Sequence, residues 1–251
     1  PFGEHQRESL WTIDARLTFE VPRHQPVTAK FYTPAKFQNY TKQSEALIAD
    51  KEYGRNIEVD QYGNRRVHYS VRRAIGTETL YYRLVLNPYY LEDDEPMQKG
   101  KIYRNPIKLE EADQLAADAL VKRIRRRSSN TVTFISEAIK EINDDESEGV
   151  LALLDGDLSE SNRVRWLEVI LSQAHIPIER VNTLQMVPSV QQEPEIWIRS
   201  YIEISSRDEE LDKSVNRGDW YYFNPRTAEM GLPADRIIWW IGNEPLLTVE
   251  N

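Results

Sequence analysis

The chain has 251 residues, 40% hydrophobic and 29% charged, the balance of a folded protein large enough for one big domain or two modest ones. Its formal charge of −9 argues against nucleic acid as a partner, because binding a phosphate backbone takes a surplus of Lys and Arg. The absence of cysteine excludes disulfides, thiolate metal sites and a cysteine nucleophile, and apolar runs such as IIWWIG (237–242) are far shorter than the roughly 18 to 20 residues that cross a bilayer.

No signal peptide is visible; starting at Pro1 without Met and ending at Asn251, the chain reads as a segment of a longer protein. The first third reads as β-structure. LWTIDARLTFEV places Trp11, Ile13, Leu17, Phe19 and Val21 at alternate positions, the period of a strand with one buried face. VTAKFYTP continues in extended style. NIEVDQYGNRRVHYSV shows two alternating runs about QYGN, where Gly63 and Asn64 suit the positive φ of a hairpin turn, and TLYYRLVL follows a turn at Gly76. The prediction for residues 1–95 is an antiparallel, β-sandwich-like domain.

NPYYLEDDEPMQKGKIYRNP (87–106), rich in Pro, Gly and acid and without a period, reads as a linker. Beyond it the period becomes helical. Leu109, Ala112, Leu115, Ala116, Ala119 and Ile124 form one stripe; Phe134, Ile135, Ala138, Ile139 and Ile142 form another. KRIRRR (122–127) closes the first helix, where cations complement the negative end of the macrodipole; the alternative is an anion or partner site. A third helix spans about 158–174, with Val164, Leu167, Leu171 and Ala174 inward. IERVNTLQMV, EIWIRSYIEIS, DWYYFNP and RIIWWIG then read as strands. Helices first and sheet afterwards make residues 96–251 an α+β domain without regular βαβ alternation.

DLSE (157–160) is a helix start, with Asp157 as N-cap and Glu160 reaching back to backbone N–H. The acidic stretch 143–161 lacks the Gly and Glu of an EF-hand and reads as a solvated loop. His5, His24, His68 and His175 show no metal spacing, so neither metal nor cofactor is expected. For Trp239 and Trp240 the simpler reading is one indole on each face of a strand; the alternatives are a binding surface or closeness to a bilayer.

Set out in order, the second half resembles the transglutaminase-like domain, the papain-related core with a Cys, His, Asp triad. SNRVRWLEVILSQA runs into HIPIERV, where Ile176, Pro177 and Arg180 follow the family's Gly-Ile-Pro-Ala-Arg turn, His175 replaces its Gly, and Ile178 and Glu179 stand where one Ala is usual. The usual helix length puts the nucleophile position near Glu160. RSYIE (199–203) looks like the family's His-Ala-Trp-Val-Glu strand, with Glu203 kept, Tyr201 for the aromatic and Arg199 in place of the catalytic His. FNPRT puts Asn224 where the orienting Asp would be. The resemblance therefore implies degenerate triad positions at Glu160, Arg199 and Asn224, and ligand-binding candidates Arg199, Glu160, Tyr201 and Asn224.

Acyl transfer by that route needs a thiolate, a base to move its proton and an acceptor that fixes the imidazole tautomer. Arg holds its proton near neutral pH, a capping Glu is a poor acyl acceptor, and Asn lacks the charge that supports an imidazolium. Arg199 has two readings, a ligand's carboxylate partner or a structural pair with Glu160 or Glu203. Asn224 reads first as a strand-ending turn residue and second as a contact.

LWTIDARLTFEV, YGRNIEV, NRRVHYSVRRAIGTETLYYRL and WWIGNEPLLTVEN are similar to the exported region of bacterial inactive transglutaminases fused to seven transmembrane helices. That resemblance implies an inner-membrane protein with this region on the periplasmic side. It also implies a peptide or protein ligand in the remnant groove, a membrane domain in the same full-length chain, and a functional link to an ATP-grasp ligase and an aspartic-protease-like protein. The expected function is a non-catalytic peptide- or partner-binding or sensory module. The alternatives are a residual hydrolase or transferase using Glu160 or a nearby Ser, and a structural scaffold.

Overall fold

The structure, a computed structural model, describes residues 10–34, 37, 39–49, 54–88, 105–188, 191–203 and 218–250. In chain order its elements are β1 (Trp11–Thr33), β2 (Thr41–Ala49), β3 (Gly54–Val59), β4 (Arg65–Asn87), α1 (Glu111–Arg127), α2 (Thr131–Ile142), α3 (Glu148–Leu154), α4 (Glu160–Gln173), β5 (Ile178–Gln185), β6 (Glu195–Glu203), β7 (Gly218–Phe223), β8 (Arg236–Ile241) and β9 (Leu247–Glu250). The chain divides into two compact units, one of residues 1–100, 183–194 and 234–251, the other of 101–182 and 195–233. The first boundary falls in the predicted linker, of which 89–104 lie outside the described residues. The later chain is more interleaved than a single 96–251 domain, because 183–194 and 234–251 join the first unit.

In the first unit one antiparallel sheet runs β2-β4-β1-β9, with β3 also beside β4. β1 and β4 are each 23 residues and pair from Trp11↔Leu86 to Thr33↔Arg65. Their register slips between Val21 and Val27, around Pro22 and Pro26, which have no N–H for a ladder; across from Val21, Gly76 takes φ 71°. Gly76 therefore makes a bulge and not the predicted turn, and each pair of predicted short strands is one long bent strand. The bend brings Leu17, Phe19 and Val21 into one core with Val27, Ala29 and Phe31. β1, β2, β3, β4 and β9 thus form one sheet, where the sequence reading expected a sandwich.

The β3–β4 turn uses Gly63 at φ 80°, whereas Asn64 stays out of the positive-φ region. Asn64 is 3% exposed, and its side chain pairs with β8 as a backbone would: Nδ2 donates to Ile241 O at 2.6 Å and Oδ1 accepts from Ile241 N at 2.8 Å. On the same strand Trp239 Nε1 donates to Tyr32 O at 2.7 Å, and Trp240 stacks on Tyr32 with centroids 5.8 Å apart. Both indoles belong to the core. β2 and β9 had no predicted counterpart; β2 buries nothing fully and β9 is only four residues long.

In the second unit α2 buries Phe134, Ile135, Ala138, Ile139 and Ile142, as its period predicts. It starts on a reciprocal cap, with Thr133 N donating to Asn130 Oδ1 at 2.9 Å and Asn130 N to Thr133 Oγ1 at 3.0 Å. α1 differs from the predicted stripe, burying Ala117, Leu120, Val121 and Ile124 and leaving Ala112, Leu115 and Ala119 exposed. Alanine fits either face, so the bulkier Leu120–Val121–Ile124 set decides the rotation. α3 lies inside the predicted acidic loop and buries Val150, Leu153 and Leu154; at seven residues it is too short to show a period. Part of KRIRRR ties helices together, since Arg123 and Arg127 pair with Glu141 of α2, whose side chain is 8% exposed.

The cap of α4 is Ser159, whose Oγ accepts from Asn162 N at 3.3 Å; Asp157 instead accepts from Ser159 N at 3.0 Å. The helix ends with Ile176 N donating to Leu171 O at 3.0 Å and His175 N to Ser172 O at 2.9 Å, the double closure that puts the intervening residue in the left-handed region. That residue is His175, at φ 59°. Glycine carries no Cβ penalty there, so His175→Gly is expected to stabilise the chain by about 0.5–1 kcal/mol in chemical denaturation, while His175→Val destabilises it.

Candidate functional site

In the second unit β6 lies between β5 and β7 and pairs antiparallel with β7, Ile198 facing Phe223 and Arg199 facing Tyr222. Ile198 and Phe223 join the core made by the four helices. Successive strand side chains point to opposite faces, so Arg199 and Tyr222 point away from the helices.

On that far face Arg199 is completely buried. Its Nε donates to Glu179 Oε2 at 2.6 Å, and Nη2 lies 2.5 Å from the same oxygen. Its guanidinium sits 4.4 Å from the Trp220 ring centroid, and it also hydrogen-bonds Tyr222. Tyr201 meets Trp220 edge-on at 5.6 Å. Gly218 makes room for this packing: a Cβ there would lie 2.5 Å from the Tyr201 ring. The carboxylate on Arg199 is Glu179, which the sequence pairing with Glu160 or Glu203 did not include. Burial pushes the Glu179 carboxyl up, against the downward pull of Arg199, so desolvation outweighs attraction at this pair.

Glu160 and Asn224 are organised differently. Glu160, on the first turn of α4, accepts from Arg226 Nη1 at 3.2 Å, and Arg226 Nη2 reaches Glu195 of β6 at 3.4 Å. These three side chains are 38%, 43% and 34% exposed. Asn224 ends β7 as a turn residue, its Oδ1 accepting from Arg226 N at 2.9 Å, and its backbone closing on Glu229 O and Ala228 N. Glu160 and the Asn224 turn thus meet through Arg226, whereas Arg199 and Tyr201 stand on the face of β6 that turns away from α4. Arg180, on β5, points back to α4, with Nη1 3.1 Å from Ser161 Oγ.

The sequence reading assigns no site role to Arg226, Glu179, Glu195, Trp220 or Tyr222. The alternation of IRSYIE against GDWYYF carries the signal for Trp220 and Tyr222, because it puts them on the Arg199 face. Glu179 and Arg226 depend on register and on a turn, which no local pattern reveals. Among the described residues no group of His, Cys, Asp and Glu is placed to hold a metal ion.

A buried charge left without its partner is costly, whereas an apolar replacement of both partners is often tolerated. Arg199→Ala is expected to cost about 3–5 kcal/mol in chemical denaturation, and Arg199→Met with Glu179→Leu to recover most of it. A stable Arg199→Ala chain would show that the guanidinium is not needed to hold the sheet.

No curated protein matches the chain. The crystal structure of a "putative cysteine protease" from Cytophaga hutchinsonii is similar to it with a TM-score of 0.64 at 12% identity, covering 96% of this chain and 85% of that one. At that identity the likeness shows the fold, a transglutaminase-like α+β fold with mostly antiparallel sheets. The family described as inactive transglutaminase fused to 7 transmembrane helices matches residues 1–158, ending two residues before Glu160. That match spans well over half of the sequence, and the chain belongs to the family of inactive transglutaminases fused to seven transmembrane helices.

Proposed function

We propose that this chain is the non-catalytic ligand- or partner-binding module of a membrane protein, standing on the extracytoplasmic side and coupled to the membrane domain of the same full-length protein. The observation that supports the reading is at the start of α4: near where the resemblance expects a thiol, Glu160 stands with its carboxylate on Arg226. Neither that carboxylate nor Arg199, buried on the other face with Glu179, forms a nucleophile–base pair.

The Glu160–Arg226–Glu195 cluster is the part of the frame open to a ligand. Exposed pairs of this kind are worth little, about 0–1 kcal/mol, so a peptide carboxylate on Arg226 or an amine on Glu160 and Glu195 exchanges with them at small cost. Arg199 and Tyr201, in this reading, hold the sheet under the site and do not touch the ligand.

The test is a thermal-shift screen of the chain against short peptides, poly-glutamate and cell-wall stem peptides, with acyl-transfer and hydrolysis assays on the same peptides. The expected result is a saturable rise in Tm that Arg226→Ala loses, because a ligand selective for the folded state stabilises it, with no turnover. Turnover abolished by Glu160→Gln would favour an altered hydrolase. Absence of any shift would favour a scaffold.

A further inference from the structure

The outer face of α1 is not explained by the fold or by the site. Leu115, Ala119, Lys122 and Arg126 lie at i, i+4, i+7 and i+11, one stripe of the helix, and Leu115 is 67% exposed. Arg125 flanks the stripe. Arg123 and Arg127 are taken by Glu141, but Lys122, Arg125 and Arg126 are exposed and form no ion pair among the described residues. Glu111 and Asp118 share this face, four residues before Leu115 and Lys122; Asp118 accepts from Gln114 Nε2 at 2.9 Å. An exposed Leu and three cations toward the C-terminal end therefore share one face, in a chain whose formal charge is −9.

We propose that this face docks on a bilayer of anionic lipid, Leu115 entering the headgroup boundary and Lys122, Arg125 and Arg126 meeting lipid phosphates. An acidic protein would complement the charges, but the exposed Leu on the same stripe fits an interface that is apolar beneath and anionic above. The chain belongs to a family fused to transmembrane helices, so a bilayer is within its tether and weak contacts act at high effective concentration. Macrodipole complementation accounts for cations in the last turn and leaves Lys122 and Leu115 without a role.

Co-sedimentation of the chain with vesicles of phosphatidylglycerol and phosphatidylcholine, set against phosphatidylcholine alone, tests this. The expected result is partition onto the anionic vesicles at low salt that weakens with added salt. The triple variant Lys122→Gln, Arg125→Gln, Arg126→Gln is expected to lower that partition on the order of a hundredfold, and Leu115→Ser to lower it with the charges intact. An Arg123→Gln variant, which alters the Glu141 tie, leaves it unchanged. Equal binding to neutral vesicles, binding retained by the triple variant, or capture by soluble poly-glutamate with none by anionic vesicles would each overturn the proposal.

Discussion

The Arg199–Glu179 pair is the constraint on which the second unit's sheet depends. A fully buried guanidinium needs a carboxylate and a ring face beside it, and β5 and β7 supply them through Glu179, Trp220 and Tyr222. Those partners set which face of β6 carries Arg199, and the alternation of the strand then turns Ile198 and Phe223 to the helices. In this arrangement, the position that resembles a catalytic base holds the sheet together, and its neighbours Tyr201 and Gly218 are shaped to fit it.

The start of α4 shows the complementary case. Its carboxylate and its Arg226 partner remain partly exposed, on a turn pinned by Asn224. The contrast between a dry pair and a wet cluster separates residues that maintain the fold from those free to meet a ligand. In the first unit the same economy of buried polar groups appears at Asn64, whose side chain completes the pairing of Ile241.

How far the sequence was legible follows from the range of each interaction. Long periodic signals carried through: the Leu17–Phe19–Val21 face of β1 and the whole buried stripe of α2 stand where their periods put them. HIPIERV, RSYIE and FNPRT fall at the passage from α4 into β5, on β6 and at the end of β7, and Asn224 serves as the turn residue that its place before Pro225 implies. What failed was rotation and continuity. Alanine-rich α1 offered two plausible faces, Gly76 served a bulge where a turn was read, and α3 was too short for a period. The partners of Arg199 and Glu160 are set by strand register and by a turn, and so no spacing in the chain pointed to Glu179 or Arg226.

The central claim is that Arg199 is held with Glu179 on the face of β6 that turns away from Glu160, so the two positions do not meet as base and nucleophile. It is tested most directly by rebuilding the triad, with Glu160→Cys, Arg199→His and Asn224→Asp in one chain, and measuring acyl-enzyme formation with an activated thioester together with stability. The account predicts a less stable chain, because Glu179 loses its cation, and a thiol no more reactive than in the Glu160→Cys chain, because residue 199 points away from α4. A thiol accelerated in the triple variant over that single variant, in a chain as stable as the original, would contradict it.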